Sequence, residues 1–183
     1  VTARLFAVDL TPAPDADELV GLVESARHGD RSAFAGLYRR FARTVHGIVL
    51  ARVARADADD VVQDVFLIAM ERLSALRDPS AFAGWLSAIA RNRAVDYLRH
   101  APKTTELPEL VAPAGADRAE ALAVLAAIRS LPPAYSETLT LRLIEGLTGP
   151  EIAASTGLTP GSVRVNLHRG MKQLRERLEG GLP

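Results

Sequence analysis

The chain has 183 residues, 48% of them hydrophobic and only 5% aromatic, and its 22 Lys and Arg balance 22 Asp and Glu for a formal net charge of zero. Bulk charge therefore supplies no nonspecific attraction for nucleic acid, and any positive field must be local. The lack of cysteine excludes disulfides and thiolate metal sites and suits a reducing compartment, while His28, His46, His100 and His168 have no partner at ligand spacing, so neither metal nor cofactor is expected.

Residues 1–17 hold a short apolar run interrupted by Asp9, followed by prolines and acids. The run is too brief for a signal peptide or a membrane span, and it reads as the disordered tail of a cytoplasmic protein without direct membrane insertion. Helical pattern begins near Asp17, breaks at His28, Gly29 and Asp30, and runs to about Arg55. Phe34, Leu37, Tyr38, Phe41, Val45 and Ile48 recur there at helical spacing as an apolar stripe. Arg39, Arg40 and Arg43 lie off it, as solvated charge or as a phosphate-facing surface.

In the next segment Asp57 or Asp59 can cap a helix whose Val62, Val65, Phe66, Ala69 and Leu73 gather within about 100° of arc. Opposite them stand Asp60, Gln63, Asp64, Leu67 and Glu71. A leucine among acids gains from burial only when something covers it, although single exposed leucines are common in monomers. No second ligand set or nucleophile accompanies the acids, so metal and acid-base chemistry are not expected.

Asp78, Pro79 and Ser80 break the pattern, and a helix follows from Ala81 to about His100. Its inner stripe is Phe82, Trp85, Leu86, Ile89 and Tyr97, where an inward tryptophan serves more often as a core anchor than as a base-stacking platform. Ala88, Arg91, Asn92, Val95 and Arg99 form a second, basic stripe, either merely solvated or suited to base-edge contact through Asn92. Residues 101–117 carry three prolines and a glycine without sustained period, which marks a flexible linker. Fully extended, it reaches roughly 55 Å at about 3.3 Å per residue.

From about Arg118 helical signals return in Ala121, Leu122, Leu125, Ile128 and Leu131, stop at Pro132 and Pro133, and resume with Leu139, Leu141, Leu143 and Ile144. Thr148 and Glu151 then form a capping box with Pro150 in the first turn, and Thr159 with Pro160 offers a second helix start. Gly157 between them can take the left-handed conformation that turns one helix into the next, which makes a helix-turn-helix. In its second helix Val163, Leu167, Gly170, Leu174 and Leu178 define the packed side, with Val165, His168 and Lys172 opposite and Arg164 and Arg169 flanking. Arg164 to Arg177 contains five basic residues against one acidic, a one-signed face that favours DNA contact over simple solvation. The expected fold is all-α: two small helical domains joined by a flexible linker, the second a four-helix unit with the helix-turn-helix.

The runs DADDVVQDVFLIAMERL and FAGWLSAIARNRAVDYLR, a proline-rich linker, and LPPAYSETLTLRLIEGLTGPEIAASTGLTPGSVRVNLHRGMKQLRERL together resemble a bacterial RNA polymerase sigma factor of the extracytoplasmic-function group. The resemblance covers residues 18–178 and implies a region 2 domain at 18–100 and a region 4 domain at 118–183. It implies that Asp60, Gln63, Asp64, Leu67 and Glu71 dock on the coiled coil of the polymerase's largest subunit. Arg77, Asp78, Ser80, Trp85 and Asn92 would meet the −10 element, opened and read as single strand. Arg164, Val165, His168, Arg169 and Lys172 would read the −35 element in the major groove. The two elements lie about 17 base pairs apart, nearly 60 Å at roughly 3.4 Å per pair, so two linked domains can reach both where one rigid domain cannot.

Val165 and Asn166, both read as outward residues, stand where the family often has a small polar residue followed by arginine, so the −35 preference is expected to be this chain's own. Gly170 replaces a common alanine, at a helix cost of roughly 0.5–1 kcal/mol. The resemblance further implies an anti-sigma partner, no small-molecule substrate and no enzymatic activity. The competing reading is a helix-turn-helix repressor or activator whose N-terminal half senses or dimerises.

Overall fold

A computed structural model of the protein describes residues 16–100 and 116–179. The expected tail and linker therefore lie almost wholly outside the described residues, as do the side chains of Ala121 and Leu122. Among the described residues eight α-helices follow one another: α1 (Ala16–Arg27), α2 (Arg31–Leu50), α3 (Arg55–Arg72), α4 (Phe82–His100), α5 (Ala116–Arg129), α6 (Pro133–Leu143), α7 (Gly149–Thr156) and α8 (Pro160–Glu179). There is no strand among the described residues, as the all-α pattern requires. α1 and α5 each begin two residues ahead of the boundary expected from sequence.

Local chemistry explains most of the helix ends. Gly29 turns the chain at φ +92°, and Asp30 caps α2 by accepting from the Ser32 and Ala33 amides. Asp78 caps the short 3₁₀ turn Pro79–Ala81 that leads into α4, and its bond from the Ser80 hydroxyl holds its carboxyl below the usual range. The expected aspartate cap of α3 does not form. α3 starts behind Ala54, whose extended backbone leads directly out of α2, so Asp57 falls inside the first turn, where its charge favours the helix N-terminus without capping it.

α1 to α4 close around Leu37, Phe41, Val45, Ile48, Val61, Val65, Phe82 and Leu86, all almost fully buried. Each such side chain contributes about 1.5–3 kcal/mol through loss of water contact. The same apolar body continues into the second half through Leu125, Leu141, Ile152, Ala153 and Val163. A smaller cluster of Ala127, Ile128, Leu131, Leu139 and Leu174 holds α5, α6 and α8 together. Each half keeps its own four helices, and the two are packed face to face, α6 against α2 and α7 against α4.

Candidate nucleic-acid and polymerase interfaces

The helix-turn-helix forms as its sequence requires. The Glu151 amide donates to Thr148 Oγ1 at 3.4 Å and the Thr148 amide to a Glu151 carboxylate oxygen at 2.6 Å, which completes the capping box. The Thr148 hydroxyl bond, then the Thr148 amide, holds the Glu151 carboxyl below its usual range, with Arg43 and Arg142 adding charge. Gly157 adopts φ +74°, and Thr159 Oγ1 accepts from the Ser162 amide at 3.1 Å to start α8. Val163, Gly170 and Leu174 are buried beneath α8, while Arg164, Val165, His168, Arg169 and Lys172 are all exposed along its outer side.

Three details of α8 differ from expectation. Leu178 is 43% exposed, because it lies in the last turn, one turn beyond Leu174, where the smaller cluster has ended. Asn166 does not belong to the outward face: three residues on from Val163 it flanks the packed side, and its amide donates to Thr138 Oγ1 of α6 at 3.4 Å. Gly170 is a close-approach residue, since a Cβ there would stand 3.1 Å from Leu139 Cδ1 and 3.2 Å from Tyr135 Cβ. Tight packing of α8 on α6 thus offsets the propensity lost to glycine.

On α4 and the turn before it, Arg77, Asp78, Ser80 and Asn92 are exposed. Trp85 is partly buried with its ring centroid 5.8 Å from that of Phe82, at the edge of the core. The arginines of this helix are occupied. Arg93 Nε donates to Asp64 at 3.0 Å, Arg99 lies 3.7 Å from Asp96, and Arg91 is bound by Glu137 of α6.

On α3, Asp60, Gln63 and Glu71 are exposed and Leu67 stands among them at 54% exposure. Asp64 is partly buried, with Arg93 as its partner, a pairing 29 residues apart that periodicity does not reveal. Tyr38, expected in the inner stripe of α2, is exposed at one edge while its ring packs on Phe66 with centroids 4.6 Å apart. With Phe34 and exposed Met70 it lines an open groove of about 520 Å³ rimmed by Arg31 and Arg39. Met70 belongs to neither stripe read from sequence.

The contact between the halves is a further site, unmarked by any motif. Arg91 donates to Glu137 through Nε at 3.1 and 3.0 Å and through Nη2 at 2.8 Å, and Arg52 Nη1 adds a bond at 3.3 Å. Arg129 of α5 reaches the end of α2, donating to the carbonyls of Leu50 at 2.8 Å and Val53 at 2.6 Å. There it satisfies carbonyls that the end of a helix leaves free, and burial lowers its guanidinium from the ordinary arginine value. His46 Nδ1 meets a Glu145 carboxylate oxygen at 2.7 Å. Two glycine contacts allow the approach: a Cβ on Gly47 would lie 2.6 Å from Leu141 Cδ2, and one on Gly157 would lie 2.9 Å from Gly84 Cα.

Two separated basic helices, one in a helix-turn-helix, and an acidic helix bearing an uncovered leucine define the class of a DNA-binding transcription protein. Residues 37–104 match the Sigma-70 region 2 family and residues 121–174 match the Sigma-70, region 4 family. The RNA polymerase sigma factor CarQ of Myxococcus xanthus is 35% identical over 166 residues, covering 85% of this chain and 95% of CarQ. The ECF RNA polymerase sigma-E factor of Escherichia coli (strain K12) is 32% identical over 177 residues, covering 86% of this chain and 93% of its own. Among solved structures, CnrH in complex with the cytosolic domain of CnrY superposes with a TM-score of 0.63 at 28% identity, over 91% of this chain and 99% of that one. The chain belongs to the extracytoplasmic-function group of RNA polymerase sigma factors. It acts in promoter-specific initiation of transcription, which replaces the repressor or activator reading.

Proposed function

We propose that the chain works as a two-point promoter clamp without enzymatic activity of its own, its halves 18–100 and 118–183 separating on the 101–117 linker. Asp60, Gln63, Leu67 and Glu71, with Asp64 held beside them by Arg93, dock on the coiled coil of the polymerase's largest subunit. Arg77, Asp78, Ser80 and Asn92, backed by Trp85, receive the unpaired −10 strand. Arg164, Val165, His168, Arg169 and Lys172 enter the major groove at −35. The observation that carries this reading is Leu67, more than half exposed among acids on a helix whose opposite stripe is buried.

An anti-sigma protein is the expected regulator, in line with the complex in which CnrH is held. No described helix is long and apolar enough to cross a membrane, so in this reading the chain works in the cytoplasm and any membrane tether belongs to its partner. Run-off transcription with core polymerase tests the assignment. A promoter-dependent transcript that disappears with Leu67→Asp and Asn92→Ala is expected; transcripts unaffected by both would refute these site assignments.

A further inference from the structure

Glu137 is 4% exposed and lies in the second half of the chain, yet its partners Arg52 and Arg91 belong to the first. Arg91 sits on the same basic stripe of α4 as Asn92 and Arg99, both of which remain exposed. A carboxylate gripped by a guanidinium through Nε and Nη2 uses the fork with which arginine also binds a phosphate. We infer that Glu137 is an intramolecular latch that holds Arg91 in the place of a backbone phosphate of the −10 strand, so that the packed chain is closed to promoter DNA until its halves part. This rests on the placement of the −10 strand along α4.

Three observations support an openable contact over a permanent core. Its bonds are largely charged or run to carbonyls, as with Arg129 to Leu50 and Val53, Ser136 to Ala51 and Ser87 to Ser155, and all of these groups regain water on opening. Beside the apolar continuation through Leu141, Ile152 and Ala153, they give the contact the mixed character of domain interfaces that move. The Ser155 hydroxyl is also buried without a partner among the described residues, on the residue whose carbonyl accepts from Ser87 of the other half. Finally, the packed form is too small for its task. A compact body of about 150 residues has a radius of gyration near 15 Å and is roughly 40 Å across, short of the nearly 60 Å between promoter elements at roughly 3.4 Å per base pair.

The latch also sets the two proposed DNA faces apart. α8 is exposed along its outer side in the packed chain, whereas on α4 the carboxylate must leave before a phosphate can take its place. Opening breaks four hydrogen bonds to Glu137 and frees two cations together. Removing the Glu137 charge alone leaves Arg52 and Arg91, both of the first half, against the second half without their counter-charge, which weakens the contact.

The test uses the full chain with Glu137→Gln and, independently, Gly47→Leu, which changes no charge and crowds Leu141 instead. Small-angle X-ray scattering reports the separation of the halves, circular dichroism the helices, and fluorescence anisotropy the affinity for a random-sequence single-stranded oligonucleotide. Both variants should expand, keep their helical signal and bind the oligonucleotide about threefold to tenfold more tightly, the gain of one recovered charge-assisted contact. Adding Arg91→Gln should erase the gain. The latch is refuted if neither variant expands, if expansion brings no gain, or if the gain survives Arg91→Gln. The −10 placement fails separately: Asn92→Ala would then leave run-off transcription unchanged whatever the scattering shows.

Discussion

The two basic helices hold their charge in opposite ways. On α8, Arg164 and Arg169 are exposed and form no ion pair among the described residues, and Lys172 has only a loose 3.9 Å contact with Glu176. On α4 each arginine has an acid: Arg91 has Glu137, Arg93 has Asp64 and Arg99 has Asp96. The stripes look alike when written as sequence, but one keeps its charge for a partner and the other has spent part of it on the fold. A run of cations is therefore a nucleic-acid face only after the acids brought to it by folding have been counted.

The largest way to break this difference is at the turn that docks onto α4. Gly157→Ala places a Cβ in the left-handed region, at about 1–2 kcal/mol, and drives it toward Gly84 Cα at 2.9 Å, where overpacking adds about 1–3 kcal/mol. Denaturant unfolding should show a loss of roughly 2–5 kcal/mol as the sum of the two. A loss restricted to the backbone part would mean that α7 does not rest on α4 in solution, and α4 would then be as open as α8.

What sequence made legible follows the range of each interaction. The capping box at Thr148 and Glu151, the turn at Gly157 and the start of α8 depend on groups three or four residues apart, and all appear where periodicity and capping placed them. So does the buried stripe of Val62, Val65, Phe66, Ala69 and Leu73, since helical phase alone decides it. The expected Asp57 or Asp59 cap failed because the exit from α2 set the start of α3 earlier, a matter of chain path. Asn166 was misread because 60° of helical phase separates an outward side chain from one that reaches Thr138. Glu137 with Arg91 spans 46 residues and Arg129 with Leu50 spans 79, and nothing local distinguishes these groups from solvated charge. Gly47 and Gly84 are likewise silent in sequence; only the helix that crosses them gives them a purpose.

The uncovered faces sharpen the comparison next. Leu67→Asp should weaken capture by core polymerase by about 1.5–3 kcal/mol, the value of burying one leucine, with circular dichroism unchanged because the side chain is already more than half exposed. Unfolding would show that Leu67 serves the core. Arg169→Ala should cost about 1–3 kcal/mol on a −35 duplex if it makes a bidentate base contact. The same loss on every sequence would make it a phosphate contact and move the reading of bases to its neighbours on α8.

The smallest effect concerns the covered side and is set by pH. The bond with Glu145 raises the His46 pKa, with the charges of Glu145 and Asp59 adding to it, while burial and the charge of Arg55 oppose. In the parted chain His46 loses Glu145 and returns toward the ordinary imidazole value of about 6.5. The charged imidazolium thus favours the packed form: its contribution is complete below the ordinary value and disappears as pH rises through the raised one. The ring remains partly exposed and Asp59 is solvated, so screening keeps the effect modest. Scattering across this window should show the chain expanding as pH increases, and His46→Gln should flatten the response. Expansion in the opposite direction would require a neutral His46 in the packed form, and a slope that survives His46→Gln would assign the titration to another group. Because Glu145 lies just past the end of α6 and His46 on α2, a slope of the expected sign also locates the titration between the halves, where α8 takes no part.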